Sequence, residues 1–325
     1  VNGAVLDQAR IIVPVRNGGA RWREAAAALR NAVDDPSMIV VVDSSSTDGS
    51  DAVAVEHAFE LHRIDARTFN HGRTRQEAVE RFCTDKRFVV FLTQDAILTG
   101  RDALVALLAT FSDPRIGAAY GRQIPHHNAG TFESHAILFR FGATSETRSL
   151  ADVARLGYRT PALSNAFAAY RIAALAQCGG FPHHIIQAED LYVGMRMLLD
   201  GWSLRYCSDA VVRHSHRESI WRELGRYFDL GVMHVQAPEF LSNLGNAERA
   251  GLAFIFAEMR FATGISPWLL PEVAVRNVTK YVAYRLGRSF EQLPLSVCRA
   301  LSYSKHFWDS YRNNVPASPS RKCEH

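Results

Sequence analysis

The sequence predicts an α/β protein: a doubly wound sheet flanked by helices, followed by a mainly helical C-terminal region. Three observations predict it. Short apolar runs with no internal alternation recur through the first half, IIVPV at 11–15, IVVV at 39–42 and FVVFL at 88–92. Such runs belong to strands buried on both faces. Segments with helical spacing separate them. Each run ends in a polar cluster, RNGG at 16–19, DSSSTDG at 43–49 and TQD at 93–95. In a parallel sheet those three ends lie along one edge, where such folds bind their ligands.

The elements follow in order. The strand at 11–15 leads to an Ala-rich helix at 22–33, and the strand at 39–42 to a helix at 48–59. A short strand at 61–64 precedes a helix at 74–82, and the strand at 88–92 precedes a helix at 102–111. Residues 124–160 are rich in His, Ser and Gly and poorly periodic, which predicts a loop-rich insert over the site. Strands are expected at 166–170, 202–206 and 210–213, and helices at 172–178 and 191–200. From about Ser219 the pattern is helical.

The chain has 325 residues, 47% of them hydrophobic, enough for one large domain or one domain plus an appendage. The expected division is a catalytic unit at 1–218, a helical extension at 219–312 and a disordered tail at 313–325. A net charge of +4 favours anionic partners only mildly, such as phosphates or a lipid surface, and does not argue for nucleic acid. The five cysteines, Cys83, Cys178, Cys207, Cys298 and Cys323, form no C-x-x-C pair. A reducing cytosol suits them better than a disulfide framework. With no signal-like stretch and no run of about 18 apolar residues, the expectation is a cytoplasmic protein, soluble or peripheral at the inner face of a membrane. In the extension, Val275, Val278, Val282 and Leu286 share one helical face, flanked by Arg276, Lys280, Arg285 and Arg288. That pattern suits a membrane-surface contact or a helix that packs on the catalytic unit and exposes its charges.

Several clusters could carry chemistry. Arg16 could meet a phosphate or a base, and Asp43 a base N–H or a ribose hydroxyl. Asp95 is a hard oxygen ligand for a divalent cation. Asp48, before a helix, is also accounted for as an N-cap. In FNHGRTR, at 69–75, arginines at a helix start suit a phosphate or plain solvation. Glu189 and Asp190 open a helix, where they could serve its dipole or supply a general base. His214 and His216 are two apart after a strand, so both could reach one metal.

Taken in order, PVRN, VVVDSSSTDGS, FNHGRTR, FLTQDA, AEDL and HSH resemble the inverting nucleotide-sugar glycosyltransferases of the GT-A fold, over about residues 8–235. FNHGRTR, FLTQDA and the stretch from HSH to YFDLGVMH (227–234) most resemble bacterial rhamnosyltransferases of polysaccharide (O-antigen) synthesis. The resemblance implies a mixed GT-A sheet and a nucleotide-sugar donor, dTDP-β-L-rhamnose, with a UDP- or GDP-sugar as the alternative. It also implies a Mg²⁺ or Mn²⁺ cofactor and a glycan or lipid-linked glycan acceptor. It assigns Pro14, Val15, Arg16, Asp43, Ser45 and Gln94 to the nucleotide side, and Arg75 to the neighbourhood of the diphosphate. It assigns Asp95 and His214 to the metal, with His216 as a further candidate. Asp190 becomes the catalytic base, and Glu189 the neighbour that positions it or contacts the acceptor. Thr93 replaces the first acid of the family's D-x-D motif, Ala96 a further acid, and Ser44-Ser45 a more usual Asp/Asn-Gly. Ser164 and Asn165 are candidates for touching the sugar, and the 124–160 insert for shaping the acceptor pocket.

Three rivals compete. A nucleotidyltransferase would want a Gly-rich basic loop, of which PVRNGGARW is a faint echo. A binding module would not need Asp95, Asp190 and His214 to converge. A hydrolase would want a G-x-S-x-G elbow or H-E-x-x-H helix, and neither occurs.

Overall fold

The computed structural model describes residues 5–216, 219–244 and 247–314. The three apolar runs are strands: β1 (Ala9–Val15), β2 (Ile39–Asp43) and β4 (Phe88–Leu92). With β3 (Glu60–Arg63) they form a parallel half-sheet, in register from Val15 against Asp43 to Ile12 against Phe91. Four more strands extend it: β5 (Ile97–Leu98), β6 (Ile116–Ile124), β8 (Phe167–Arg171) and β9 (Ser203–Arg213), with β7 (Glu146–Arg148) paired on β9. The order is β3-β2-β1-β4-β8-β6-β9-β5. β8 runs antiparallel between β4 and β6, and β9 parallel to β6. β1, β2, β4, β6 and β9 therefore all point their carboxyl ends to one edge, and β8 starts there.

The continuous apolar runs divide by period two. Ile11, Val13, Val15, Val90 and Leu92 face one core, with α1 (Gly19–Ala32), α2 (Ser50–Glu56) and α4 (Arg101–Ala109). Ile12, Val40, Val42, Val89 and Phe91 face the other, with α3 (His71–Phe82), α7 (Ile172–Gln177) and α8 (Glu189–Leu199). Burial on both faces is why these strands show no polar alternation.

Three expectations need correction. The 124–160 segment is not mainly loop: it holds α5 (Thr131–Arg140), β7 and the short α6 (Val153–Leu156). The two strands expected at 202–213 are one bulged strand, β9, with its register shift between Gly121 and Arg122 of β6. β6 was not foreseen. Its sequence, IGAAYGRQI, is low in β-branched residues because it packs closely: a β-carbon on Gly121 would strike the Ala210 carbonyl and the Phe167 ring.

The C-terminal helices are α9 (Ile220–Gln236), α10 (Pro238–Leu244), α11 (Ala247–Ile265), α12 (Leu270–Arg288), α13 (Leu295–Leu301) and α14 (Lys305–Asn314). All but α11 contribute to a third core with Ile185, Ile186 and Met195 from the sheet-bearing part of the chain, built on Phe228, Val232, Met233, Ala283 and Trp308. The expected boundary at 218 and most of the expected tail, from 315, lie outside the described residues. Buried His234 holds the Tyr158 hydroxyl at 2.9 Å and the Tyr284 hydroxyl at 3.1 Å, pinning α12 to the turn at 157–159. Burial pushes its pKa down to about 4, so the ring stays neutral. α9 and α12 cross at Gly231 and Gly287, where the backbones touch. A β-carbon on Gly287 would strike the Phe228 carbonyl oxygen. Gly287→Ala is expected to lower unfolding free energy by about 1–3 kcal/mol. Gly264→Ala in α11, where a β-carbon meets open space, should be neutral or stabilising. Chemical denaturation of the two variants checks the difference.

Candidate active site

The shared strand edge gathers the polar clusters. Asp95 follows β4, while His214 and His216 follow β9. His214 Nε2 lies 3.4 Å from Asp95 Oδ1, and His216 Nδ1 lies 3.3 Å from Oδ2. The i, i+2 pair thus faces one carboxylate, and the three ligand atoms lie within 4.8 Å of one another. Burial acts to raise the Asp95 carboxyl. The two imidazoles, whenever they carry a positive charge, outweigh it and hold the group well below the usual range.

Gln123, at the end of β6, orients this cluster. Its Oε1 lies 2.8 Å from His214 Nδ1, and its Nε2 donates to Ser164 Oγ at 2.7 Å. With an amide oxygen as acceptor, His214 carries its proton on Nδ1. The Nε2 lone pair then faces the Asp95 carboxylate with no hydrogen-bond partner. Two facing lone pairs are stable only with a proton or a cation between them. One carboxylate and two imidazoles, one of them backed by an amide, therefore fit a divalent cation.

Glu189 and Asp190 open α8 at the same edge. Glu189 is buried. Its Oε1 lies 2.8 Å from Arg75 Nη1 and accepts from Asn165 Nδ2 at 3.0 Å. Burial raises Glu189, but the charges of Arg75 and His71 and the Asn165 bond outweigh it, so it stays ionised. Asp190 is partly open to solvent and accepts from the backbone N–H groups of Asn165 (3.1 Å) and Leu191 (2.8 Å). Its pKa is raised, first by desolvation and then by the Glu189 charge. Ala188, just before the pair, is held in the left-handed region at φ 62°, a strain borne by the turn that aims both carboxylates.

The residues expected on the nucleotide side also lie at this edge. Arg16 is exposed, while the Val15 side chain lies in the core and its carbonyl accepts from Ser44 N. Gln94 spends both ends of its amide on the Arg16 backbone, at 2.7 and 3.3 Å. Ser45, at φ 56°, donates its hydroxyl to the Ile64 carbonyl at 2.9 Å, tying the loop after β2 to the loop after β3. Asp43 is buried, with Oδ2 on Ser46 N at 3.0 Å and Oδ1 unpartnered. Arg75, expected near a diphosphate, is buried in α3, donates to the His71 carbonyl and pairs with Glu189. A charge seen in sequence does not reveal its partner, and the acid came from a helix 114 residues on. Ser164 and Asn165 bridge Gln123 and the acid pair. Gln123 was missed because a lone glutamine in a Gly/Ala-rich segment carries no signal.

The comparisons agree with this geometry. Residues 8–228 match the family described as glycosyltransferase-like family 2. The chain is 38% identical over 315 residues to the O-antigen chain rhamnosyltransferase WbaN of Salmonella anatum, covering 97% of this chain and 98% of that one. It is 37% identical to RfbN of Salmonella typhimurium, also called an O-antigen chain rhamnosyltransferase, covering 97% and 99%. Among solved structures, a Pyrobaculum calidifontis mannosyltransferase in complex with GDP-Man and Mn²⁺ superposes with a TM-score of 0.56 at 20% identity, over 94% of this chain and 86% of that one. That likeness shows the fold, a GT-A-like mixed sheet with a helical C-terminal region. A metal-compatible cluster and a carboxylate pair lie on the carboxyl edge of such a sheet, and the family match spans two thirds of the chain. The chain belongs to glycosyltransferase family 2 and is a glycosyltransferase.

Proposed function

We propose that the chain is an inverting rhamnosyltransferase. It moves L-rhamnose from dTDP-β-L-rhamnose to a hydroxyl of a glycan, carried on a lipid, in bacterial surface-polysaccharide synthesis. The observation that carries the mechanism is the convergence, on one strand edge, of the Asp95–His214–His216 cluster and the partly open Asp190. The sugar rests on near full-length similarity to two O-antigen chain rhamnosyltransferases.

Asp43, through its free Oδ1, and the exposed Arg16 would hold the nucleoside. Ser45 and Gln94 would shape that pocket from behind, since their polar groups are committed to backbone. Asp95, His214 and His216 would hold the divalent cation, and this mixed nitrogen and oxygen set suits Mn²⁺ better than Mg²⁺. When bound, the cation supplies positive charge next to the departing diphosphate. Asp190 would take the acceptor hydroxyl's proton as that oxygen bonds to the anomeric carbon and the nucleoside diphosphate leaves from the opposite face. One displacement converts the β donor into an α-L-rhamnoside. Arg75 acts at a distance: it keeps Glu189 ionised, and that charge tunes Asp190.

Three measurements test the reading. Melting with dTDP, UDP, GDP or CDP, each with and without Mn²⁺, should show selective stabilisation by dTDP that needs the metal and is lost in Asp95→Ala. Ligand at a hundred times its Kd adds about 2.7 kcal/mol. Preference for UDP or GDP would overturn the sugar, and no response in folded protein would overturn the donor site. Second, kcat/KM should fall as pH falls through the Asp190 pKa, because only its carboxylate accepts a proton. Glu189→Gln removes a charge that raises this pKa, so the acidic limb should move to lower pH. Asp190→Asn should lose about 10²–10⁴-fold. A limb that stays put would remove Asp190 from this role. Third, Gln123→Leu should weaken Mn²⁺ binding about 10–100-fold by isothermal titration; unchanged affinity would show that Gln123 does not set the His214 tautomer.

A further inference from the structure

Helix α12 packs inside out. The face it turns inward holds Val273, Asn277, Lys280, Ala283 and Gly287. Arg276 meets Glu223 of α9 at 2.9 Å and Lys280 meets it at 3.5 Å, while Asn277 donates to buried Glu258 of α11 at 2.7 Å. The outward face is the apolar one. Val275, Val278 and Val282 are 54%, 62% and 49% exposed, and Leu286 continues the stripe one turn further on. Trp268, in the turn that precedes α12, is 90% exposed. α11 repeats the pattern with exposed Leu252, Phe256 and Met259 at i, i+4 and i+7. Single exposed apolar residues are ordinary on a protein surface, but ordered stripes on adjacent helices mark a contact surface.

The charges around the stripes say what covers them. Arg285 and Arg288 lie beside the α12 stripe with Tyr281, at i, i+4 and i+7, and Arg260 adjoins Met259 on α11. Arg285 and Arg288 each donate to a tyrosine hydroxyl, and among the described residues none of the three arginines has a carboxylate partner. Among the described side chains of these helices, the exposed acid is Glu272, which Arg276 holds at 2.9 Å. A two-fold contact between copies would set such an arginine-rimmed face against itself. A bilayer rich in anionic phospholipid complements it: valines and Trp268 enter the interface, and the arginines meet phosphates. No helix among the described residues is long and apolar enough to cross a membrane.

We propose that α11, the turn at 266–269 and α12 form a docking surface for an anionic phospholipid bilayer. The inference gives a place to the lipid-linked acceptor in the reading above, but its test needs neither donor nor acceptor. The full chain is sedimented with vesicles of phosphatidylcholine alone or with added phosphatidylglycerol, at low and high salt. Binding to the anionic vesicles is expected, weakening with salt and accompanied by a blue shift in tryptophan fluorescence. The double variant Val278→Asp, Val282→Asp should lose it. Arg285→Glu and Arg288→Glu should each weaken it about fivefold or more. Melting by circular dichroism verifies that each variant is folded, and independent measurement of nucleotide binding keeps failure of the donor reading separate. Failure of the unaltered chain to bind anionic vesicles overturns the proposal. So does a dimer in sedimentation velocity that the double variant dissolves.

Discussion

The carboxylate half of the candidate site depends on one buried ion pair, Arg75 with Glu189. Neither charge would leave water unaided. Each has further partners, the His71 carbonyl and the Phe91 ring for the guanidinium and Asn165 for the carboxylate, although Arg75 Nε is buried without a hydrogen bond. Removing one partner of such a pair costs about 3–5 kcal/mol, because the other is left charged and buried. The pair ties α3 to α8 across the core. Gly72 belongs to the same constraint, since a β-carbon there would strike the Pro182 carbonyl oxygen and hold α3 away. The pair also sets the chemistry beside it. Arg75 keeps Glu189 ionised, and an ionised, desolvated neighbour raises Asp190. Two adjacent carboxylates with pKa values pushed apart is the pattern that acid–base sites use.

From that pair the structure runs without a break to the cation-compatible cluster. Asn165 holds both acids, and its own amide oxygen is fixed by the Tyr170 hydroxyl at 2.7 Å. Ser164, next in chain, receives Gln123, and Gln123 sets the His214 ring. The link exists because β8 runs against its neighbours. An antiparallel strand begins where parallel ones end, so the turn before β8 is delivered to the same edge as the ends of β4, β6 and β9. Left-handed residues at Asn17, Ser45 and Ala188 lie in loops at this edge. Strain of about 1–3 kcal/mol at such positions persists only where the surroundings fix them, as Asn17 is fixed by Ser46 and Thr47.

How much of this the sequence carries depends on what kind of force acts at each position. β1, β2 and β4 were legible because burial on two faces leaves an unmistakable apolar run. β6 was not, because its glycines and alanines answer to close backbone approach, which leaves no hydrophobic signature. Asp43, Asp95 and the two histidines stood out because ionisable residues just after buried strands are unusual, and the acid pair because two adjacent carboxylates open a helix. Arg75 stood out too, yet its partner did not, since a helix start tells only that a charge is present. Gln94 and Ser45 show the same limit: both are at the site, and both are consumed by backbone. Gln123 and Asn165 are ordinary amides whose importance comes from what they join.

α12 shows how one periodicity leaves two orientations open. Four apolar residues at helical spacing suit a core face or a face turned to a membrane surface. Three other constraints decide the helix's orientation. Gly231 and Gly287 allow α9 and α12 to touch backbone to backbone, and either glycine turned outward would waste that contact. Glu223, on α9, draws Arg276 and Lys280 inward. His234 takes the Tyr284 hydroxyl from the same side. Small residues and polar bonds thus do the packing that valines do elsewhere, and once they fix the rotation of the helix its valines can only face outward. An apolar stripe excluded from its own core in this way is available to something outside the chain.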